Sequence, residues 1–333
     1  VSGMSRGKNQ WAGLLAAAAL AMLATRAEAQ LPFYTPSSAE LSGPPGSLIR
    51  SEPMLGAPLG AQAYRILYRS TGLRGEPIAV SGVAIAPLRP APAGGRAVVA
   101  WAHPTSGVVP HCAPSLALTF FLQVPGLREM AHEGIAVVAT DYPGLGTAGP
   151  HPYLVGTSEG RAVIDSVRAL RGVPNANPGN RFAVWGHSQG GHAAIYAGLL
   201  TAAYAPELKL VGIAAAAPAT ELATLLSDDF ATPGGKSLTA MTLWSWNKVF
   251  GADLATVVKP AAIPVMDALA RVCIESLIDI DVRRFTEAPL ERAFLSVKDI
   301  TKVEPWRSIM DRNTPSVLPK NVPVFLAQGQ TDN

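Results

Sequence analysis

Ser188 lies in a short segment of the kind that presents a nucleophilic hydroxyl. The segment is Gly186-His187-Ser188-Gln189-Gly190, which matches the pattern G-x-S-x-G. An apolar run at 181–185 that predicts a buried strand precedes it, and an Ala-rich predicted helix at 189–203 follows. The small residues at 186 and 190 permit a turn so tight that the serine side chain is exposed above the sheet. We therefore predict that Ser188 is a nucleophile and that Gly186, His187 and Gly190 form its elbow.

A serine that attacks a carbonyl group needs N–H donors for the oxyanion that develops. The elbow places the N–H of Gln189 at the start of a helix, where negative charge is favoured. A second donor is expected in the loop after a neighbouring buried strand, which is predicted at 97–102. That loop is His103-Pro104-Thr105-Ser106-Gly107. Gln189 and Thr105 are the predicted oxyanion donors.

The serine also needs a histidine base and a carboxylate that orients it, in the chain order serine, acid, histidine. A predicted strand at 322–326 leads to Asp332, which takes the position of the acid. We expect the catalytic histidine beyond Asn333 in a longer chain, and little activity from the sequence as it stands. The histidines that are present are expected to be structural: His103, His111, His132, His151, His187 and His192.

Predicted strands and helices alternate over most of the chain. Strand-like segments occur at 64–70, 78–86, 97–102, 135–140, 181–185, 208–215 and 322–326. Helix-like segments occur at 115–132, with a candidate break at Pro125-Gly126, and at 157–171 and 189–203. This alternation predicts an α/β fold with a mostly parallel, doubly wound sheet. Helix-like stretches without a buried strand at 218–318 predict an inserted helical cap over the edge where ligands bind. Leu243, Trp246 and Phe250 have helical spacing there and are expected to pack between cap helices rather than line an acyl pocket.

The first 29 residues have the pattern of an export signal. Arg6 and Lys8 precede an apolar run at 11–24, and Ala27-Glu28-Ala29 has the form of a cleavage site. A membrane anchor is the alternative, but the run is shorter than the roughly 20 residues of a spanning helix. The predicted division is a signal peptide at 1–29, a core at 30–217 that begins with an extended lead segment at 30–63, the cap at 218–318 and a return to the core at 319–333. Such a protein is secreted, or periplasmic in a bacterium with two membranes.

Composition narrows the range of partners. Removing the signal's three basic and one acidic residue from the chain's 27 Lys and Arg and 24 Asp and Glu leaves a net charge near +1. That balance gives no electrostatic basis for binding nucleic acid. The two cysteines, Cys112 and Cys273, form either a disulfide, which an exported protein favours, or a pair of buried free thiols. No cluster of ligand residues has convincing spacing, so neither a metal nor an organic cofactor is expected.

Two glycine-rich segments resemble nucleotide-binding motifs and are rejected. The segment 144–149 matches G-x-G-x-x-G, but Pro150 and Pro152 delay the helix that a dinucleotide site needs at once. The segment 234–237, Gly-Gly-Lys-Ser, resembles a phosphate loop, but Phe230 stands where that motif requires glycine. An NAD-dependent oxidoreductase is therefore not expected.

Further motifs accompany the elbow: Phe33-Tyr34-Thr35-Pro36, Cys112-Ala113-Pro114-Ser115, Asp141-Tyr142-Pro143-Gly144 and Tyr204-Ala205-Pro206-Glu207-Leu208. With Ser188 and Asp332, they make the chain from about Phe33 to its end resemble the secretory lipase family, typified by yeast lipase A. The resemblance implies an α/β-hydrolase core, a helical cap over the active site, and hydrolysis of carboxylic esters that include acylglycerols. It implies a disulfide from the Cys-Ala-Pro-Ser cysteine into the cap, which fits Cys112 with Cys273. It also implies a loop donor at or near Thr105, where the yeast enzyme has an aspartate, and a histidine beyond Asn333.

The sequence therefore predicts a secreted carboxylic-ester hydrolase, a lipase or esterase that forms an acyl-serine intermediate. Its expected partner is a small-molecule ester or a lipid, reached through transient contact with lipid interfaces, and no obligate protein partner is inferred. Two alternatives stay open. One is an acyltransferase that uses the same acyl-enzyme, and the other is a non-catalytic binding protein of the same fold if the chain truly ends at Asn333.

Overall fold

The computed structural model describes residues 32–228, 230, 232–275 and 277–330 of the 333-residue chain. The predicted signal peptide at 1–29 and Asp332 lie outside these residues. The described residues form a sheet with the strand order β1-β2-β3-β5-β4-β6-β7-β8. The strands are β1 (Leu48–Met54), β2 (Ala61–Thr71), β3 (Pro77–Pro87), β4 (Arg96–Ala102), β5 (Ala136–Thr140), β6 (Pro178–His187), β7 (Lys209–Ala216) and β8 (Val324–Ala327).

The sheet is antiparallel at one side and parallel over the rest. Strands β1, β2, β3 and β5 pair antiparallel in that order, whereas β5, β4, β6, β7 and β8 run parallel to one another. Ala102 at the end of β4 lies opposite Gly186 at the end of β6. The loop that carries Thr105 and the turn that carries Ser188 therefore leave the sheet side by side at its carboxyl edge.

The helices form two groups along the chain. Those between strands of the core are α1 (Phe120–Gln123), α2 (Leu127–His132), α3 (Gly156–Ala169) and α4 (Gln189–Tyr204). Those between β7 and β8 are α5 (Leu222–Asp228), α6 (Pro233–Phe250), α7 (Ile263–Ala270), α8 (Leu277–Glu287) and α9 (Trp306–Asn313). Because β7 and β8 are neighbours in the sheet, the second group is inserted between two adjacent strands. Across the described residues, no helix has the length and apolar character that crossing a bilayer requires.

The structure adds detail to two local predictions. The lead segment at 30–63 contains β1, which pairs with β2 at the edge of the sheet. Its residues are only half-buried, so the apolar alternation that identifies a strand is weak there. The helix predicted at 115–132, with a candidate break at Pro125-Gly126, is a 3-10 turn, Pro114–Leu116, followed by α1 and α2, which are separated at that break. Gly126 has a positive φ of 73°, which ends one helical segment before the next begins.

The packing predicted for three apolar residues of the cap is confirmed for two of them. Leu243 and Trp246 are fully buried, and the Trp246 indole N–H donates to the carbonyl of Tyr153 in the core, 2.9 Å away. Phe250, at the last turn of α6, is 41% exposed. The α6 residues Leu243 and Trp246 therefore attach the inserted helices to the core.

A buried hydrogen-bond network joins three of the motifs singled out in the sequence. The Asp141 carboxylate accepts the Ser81 hydroxyl at 2.6 Å, the Ser115 N–H at 2.9 Å and the Ser115 hydroxyl. Since Ser115 donates its only hydroxyl proton to Asp141, Tyr34 donates to the Ser115 Oγ, 2.8 Å away. The N-terminal segment and the loop after β4 are thereby fixed to the end of β5. Burial raises the pKa of Asp141 to about 6, against the lowering effect of the bonds from Ser115 and Ser81.

The cysteine alternative is settled in favour of a disulfide, because Cys112 and Cys273 are bonded across 161 residues of sequence. The bond joins the loop after β4 to the segment between α7 and α8. The Ile274 N–H donates to the Ser106 carbonyl at 2.7 Å beside it. A Cβ at Gly107 would lie 2.5 Å from the Cys112 Sγ, so this position requires glycine.

The raised pKa of Asp141 predicts a stability that depends on pH. An unfolded aspartate ionises near pH 4, so the folded state binds the extra proton between about pH 4 and pH 6. This contribution to stability is complete below the unfolded pKa and is lost as the pH rises through about 6. We expect the unfolding free energy of Asp141→Asn, relative to the wild type, to increase by about 2 kcal/mol between pH 4 and pH 7.

Urea unfolding of both proteins at successive pH values measures this difference. Asp311→Asn is the matched control, because its side chain is 65% exposed. A difference between Asp141→Asn and the wild type that stays constant with pH would contradict the prediction.

The disulfide predicts a second measurable contribution to stability. Cys273→Ser is expected to lower the unfolding free energy by about 2–5 kcal/mol, because the bond closes a long segment and restricts the unfolded chain. Thermal unfolding with and without reductant measures the effect. The wild type should lose stability in reductant, whereas the double variant Cys112→Ser/Cys273→Ser should not respond. An equal response of the two proteins would mean that the bond does not support the fold.

Candidate active site

Ser188 occupies a strained turn between β6 and α4. Its backbone angles are φ 55° and ψ −120°, and α4 begins at the next residue. The Ser188 N–H donates to the Ala216 carbonyl at 2.9 Å, and its own carbonyl accepts the His192 N–H at 3.1 Å. A non-glycine residue at such a φ costs about 1–3 kcal/mol and persists only where its surroundings hold it. The turn is therefore the strained strand-to-helix junction that the sequence pattern predicts.

The two elbow glycines are required by close backbone contacts. A Cβ at Gly186 would lie 2.1 Å from the Gly190 carbonyl oxygen, and a Cβ at Gly190 would lie 1.9 Å from the Ala102 carbonyl oxygen. Both distances are far shorter than any real contact. A larger residue at position 186 would overlap the first turn of α4, and one at position 190 would push α4 away from the end of β4.

A cavity of about 850 Å³ opens above Ser188. The core contributes Thr105, His187 and Ser188 to its wall, of which His187 is exposed and Ser188 half-buried. The opposite wall comes from α6, from α8 and the 3-10 turn Ala288–Glu291 after it, and from the segment between α7 and α8. Its apolar members are Leu238, Ile274 and Ile280, and its charged members include Arg283, Arg284, Glu287 and Glu291. The volume is within the range of sites that enclose a small organic ligand.

The two predicted oxyanion donors lie on the same edge of the sheet. Gln189 is the first residue of α4, so its N–H has no partner four residues earlier within the helix. The Thr105 hydroxyl is 2.7 Å from the Tyr153 hydroxyl. Within the described residues, the Thr105 N–H donates to no main-chain carbonyl. Both residues are placed beside Ser188, and their roles as donors stay predictions.

Most of the histidines have partners other than Ser188. His103, His151 and His192 are buried with both ring nitrogens in polar contacts. Burial lowers the pKa of His103 to about 4. His111 contacts the Arg271 carbonyl at 2.9 Å, and His132 is 82% exposed beside Glu133.

The acid predicted at Asp332 lies outside the described residues, but the strand before it is well placed. The Ala327 carbonyl, at the end of β8, accepts the Ala217 N–H at 2.7 Å. The chain after β8 therefore starts at the carboxyl edge, separated from the Ser188 strand only by β7. Asp332 as the orienting acid, and a histidine after it, stay predictions.

Sequence reasoning missed Glu159 and the polar contacts that it makes directly below the elbow. Glu159 of α3 contacts the side chains of Gln189 and His192, and Gln189 also contacts His151. All four residues are fully or almost fully buried. The available signal was the presence of Gln189 and His192 in an otherwise apolar, Ala-rich helix.

The two rejected nucleotide motifs have structural roles. A Cβ at Gly146 would lie 2.3 Å from the Ser81 Oγ and 2.8 Å from the Tyr34 ring, so glycine is needed for packing. No helix follows at once, since α3 begins at Gly156. Gly234 and Gly235 lie in the first turn of α6, where the Thr232 Oγ1 accepts the Gly235 N–H at 3.1 Å.

One group of ligand-type side chains occurs among the described residues. His111, Cys112 and Cys273 have their ligand atoms within 4.8 Å of one another. The two sulfur atoms are bonded to each other, so they cannot act as thiolate ligands. The group is a disulfide with a neighbouring histidine.

A family model described as secretory lipase matches residues 114–333, which is more than half of the 333-residue chain. The chain belongs to the secretory lipase family. This confirms the resemblance seen in the motifs around Ser115, Asp141 and Ser188.

Relatives with similar sequences are known from fungi and bacteria. Lipase A of Moesziomyces aphidis is 30% identical over 225 residues, which cover 60% of this chain and 47% of that protein. A secreted triacylglycerol lipase of Malassezia globosa is 30% identical over 211 residues, covering 58% and 44%. A protein of Mycobacterium tuberculosis named a probable inactive lipase is 28% identical over 207 residues, covering 57% and 46%. The chain spans about half the length of these relatives.

Solved structures confirm the fold class. The rice cell wall degrading esterase LipA of Xanthomonas oryzae has a TM-score of 0.72 at 21% identity, covering 87% of this chain and 84% of that one. Candida antarctica lipase A has a TM-score of 0.70 at 19% identity, covering 90% and 72%. At these identities the similarity establishes the α/β-hydrolase fold that the sequence predicts.

The contact at Gly190 predicts a severe effect from one added methyl group. Gly190→Ala is expected to lower the unfolding free energy by more than about 3 kcal/mol or to prevent folding, because the new Cβ would overlap the Ala102 carbonyl. Gly212→Ala in β7 is the control, since a Cβ there would lie 4.0 Å from its neighbour, the Pro323 oxygen. Soluble yield and thermal unfolding compare the two variants. Equal stability of the variants would show that the turn can relax.

Proposed function

We propose that this chain is the part of a secreted serine ester hydrolase that carries the nucleophile. The observation that carries the proposal is the position of Ser188. It lies at a strained strand-to-helix turn, beneath a cavity whose far wall is built by inserted helices, in a member of the secretory lipase family. A serine hydroxyl held in this way is the arrangement used for acyl transfer.

The proposed reaction has two steps. The Ser188 Oγ attacks the ester carbonyl carbon, while a histidine beyond Asn333, oriented by Asp332, accepts the hydroxyl proton. The N–H groups of Gln189 and Thr105 stabilise the oxyanion. The bond to the alcohol then breaks, and the alcohol leaves with that proton. Water, deprotonated by the same histidine, next attacks the acyl-serine to release the carboxylic acid and restore Ser188.

The proposed substrates are carboxylic esters with an apolar acyl group, including acylglycerols. Support comes from the apolar side chains Leu238, Ile274 and Ile280 in the cavity wall. Relatives named as lipases, one of them a triacylglycerol lipase, support the same class. Binding such a substrate brings the cavity mouth into transient contact with a lipid surface.

Export from the cytoplasm is part of the proposal. The Cys112–Cys273 disulfide supports it, because disulfides persist in oxidising compartments and are rare in the cytosol. The name of the family points in the same direction. We also propose the division into a core at 30–217, a cap at 218–318 and a return at 319–333. The inserted helices between β7 and β8 support it.

The decisive test is Ser188→Ala in the full-length protein. Hydrolysis of p-nitrophenyl esters from acetate to palmitate should fall by at least about 10³-fold, because removing the nucleophile leaves only the weak effect of binding. Thermal unfolding should be close to that of the wild type. The matched control is Ser227→Ala, an exposed serine on α5 that does not line the cavity. Hydrolysis that survives in Ser188→Ala would overturn the assignment.

A fluorophosphonate probe and an added alcohol separate the remaining alternatives. A wild-type protein that labels at Ser188 and transfers the acyl group to the alcohol rather than to water would be an acyltransferase. A full-length wild type that neither labels nor hydrolyses any ester would instead be a non-catalytic binding protein of this fold.

A further inference from the structure

Four buried side chains form a polar cluster below the elbow, here called the elbow network. They are His151, Glu159, Gln189 and His192. Their relative exposures are 0–1%, so each polar contact among them replaces a contact with water. Two of them, Gln189 and His192, lie in the first turn of α4, directly after Ser188. The cluster is thus attached to the residue proposed to donate the oxyanion N–H.

The hydrogen bonds of Gln189 and His151 fix the direction of each donor. The His151 Nδ1 is 2.8 Å from the Pro143 carbonyl and must donate to it, which leaves Nε2 as an acceptor. The lowered pKa of His151, caused mainly by burial, agrees with this neutral ring. The Gln189 amide therefore donates both its protons, one to the His151 Nε2 at 2.7 Å and one to the Glu159 Oε1 at 2.7 Å.

This orientation leaves the Gln189 amide oxygen buried without a partner among the described residues. An unpaired buried acceptor is unfavourable, so turning the amide over would be expected if the site allowed it. Turning it would direct the amide oxygen at the Glu159 carboxylate, which accepts hydrogen bonds and donates none. Glu159 therefore holds the Gln189 side chain in this one orientation.

Glu159 also holds the next residue of the network. Its Oε2 is 2.8 Å from the His192 Nδ1, while the His192 Nε2 is 2.8 Å from the Asn313 carbonyl. The Oε1 of Glu159 additionally accepts the Leu154 N–H at 3.0 Å. One carboxylate thus contacts α4 at positions 189 and 192, which are one helical turn apart.

The contact with Asn313 extends the network to the inserted helices. Asn313 is the last residue of α9, and its Oδ1 accepts the Gly156 N–H at 3.2 Å. The start of α3, the first turn of α4 and the end of α9 therefore meet around Glu159. Each is held by a hydrogen bond to the network or to Asn313.

We propose that Glu159 is a positioning residue, which fixes the first turn of α4 so that the Gln189 N–H points at the oxyanion site. This inference rests on the proposed function and adds a residue to it. An oxyanion donor acts through its exact place, since a misplacement of about 1 Å can cost about 10²-fold in rate. Because the oxyanion exists only in the transition state, loss of Glu159 should affect turnover more than substrate binding.

The test compares two buried carboxylates of the same helix in the full-length protein. Glu159→Met removes the proposed positioning group. Asp165→Leu removes a carboxylate that is equally buried but contacts Ser70, Arg168 and Tyr204, away from the elbow. Both variants should lose thermal stability. Only Glu159→Met should lower kcat, by about 10–100-fold, while KM stays within about twofold of the wild-type value. Its affinity for an alkyl boronic acid inhibitor should fall by the same factor as kcat.

The conservative variant Glu159→Gln tests whether the hydrogen bonds of residue 159, rather than the size of its side chain, position α4. In Glu159→Gln, the amide oxygen can accept from Gln189 and Leu154, and the amide N–H can donate to the His192 Nδ1, whose Nε2–H still donates to Asn313. We expect most of the lost kcat and boronic acid affinity to return. Failure of Glu159→Gln to recover either quantity would overturn the proposal.

Other outcomes would also contradict the proposal that Glu159 positions the first turn of α4. If Glu159→Met folds and has the wild-type kcat, the elbow network has only a structural role. The same conclusion follows if Asp165→Leu loses as much kcat as Glu159→Met. If Glu159→Met does not fold, Gln189→Met takes its place, because it removes only the side-chain amide that Glu159 holds. Gln189→Met should then show the same loss of kcat and of boronic acid affinity. Unchanged values of kcat and affinity would overturn the inference. A full-length wild type without ester hydrolysis would overturn the proposed function itself, before any variant is compared.

Discussion

The contact between the start of α4 and the end of β4 is the constraint on which the site depends. Gly190 lies against the Ala102 carbonyl with no room for a side chain. Because the backbones meet directly, Ser188 is held at a strained φ beside the loop that carries Thr105. The same contact places the N-terminus of α4 beside Ser188, and the first N–H groups of a helix have no partners within the helix. A single close approach of two backbones therefore brings together the proposed nucleophile and both proposed donors.

Two buried carboxylates stabilise the loops and helices around that contact in different ways. Asp141 is surrounded by neutral donors from Ser81 and Ser115, which only partly offset the loss of water, and its pKa is raised. Glu159 instead faces a histidine ring and an amide. Asp141 connects the N-terminal segment and the loop after β4 to β5, whereas Glu159 connects α3 to the first turn of α4. Each carboxylate joins segments that are distant in sequence.

The inserted helices are fixed to the core at several points, and this defines the cavity. The disulfide joins Cys112 to Cys273, and the Trp246 indole donates to the Tyr153 carbonyl. At the end of α9, the Asn313 carbonyl contacts His192 below the elbow. The wall opposite Ser188 is therefore attached to the loop after β4, to the core and to α4. Its position relative to Ser188 follows from these attachments.

The sequence by itself determined the features that depend on neighbouring residues. The predicted strands, the tight turn at Ser188 and its need for glycine at 186 and 190 are local, and the structure shows all of them. Asp332 and the oxyanion roles remain expectations from the pattern. Edge strand β1 was missed because a half-buried strand has little apolar alternation.

Tertiary structure alone decided which distant side chains meet. A Cβ at Gly156 would lie 2.2 Å from the Tyr196 ring, and one at Gly160 would lie 2.9 Å from the Ala197 nitrogen. These glycines let α3 approach α4 so closely that Glu159 reaches Gln189 and His192. No sequence period marks that pairing, because it results from the packing of two helices. The cavity wall was likewise decided by how the inserted helices fold back over the sheet.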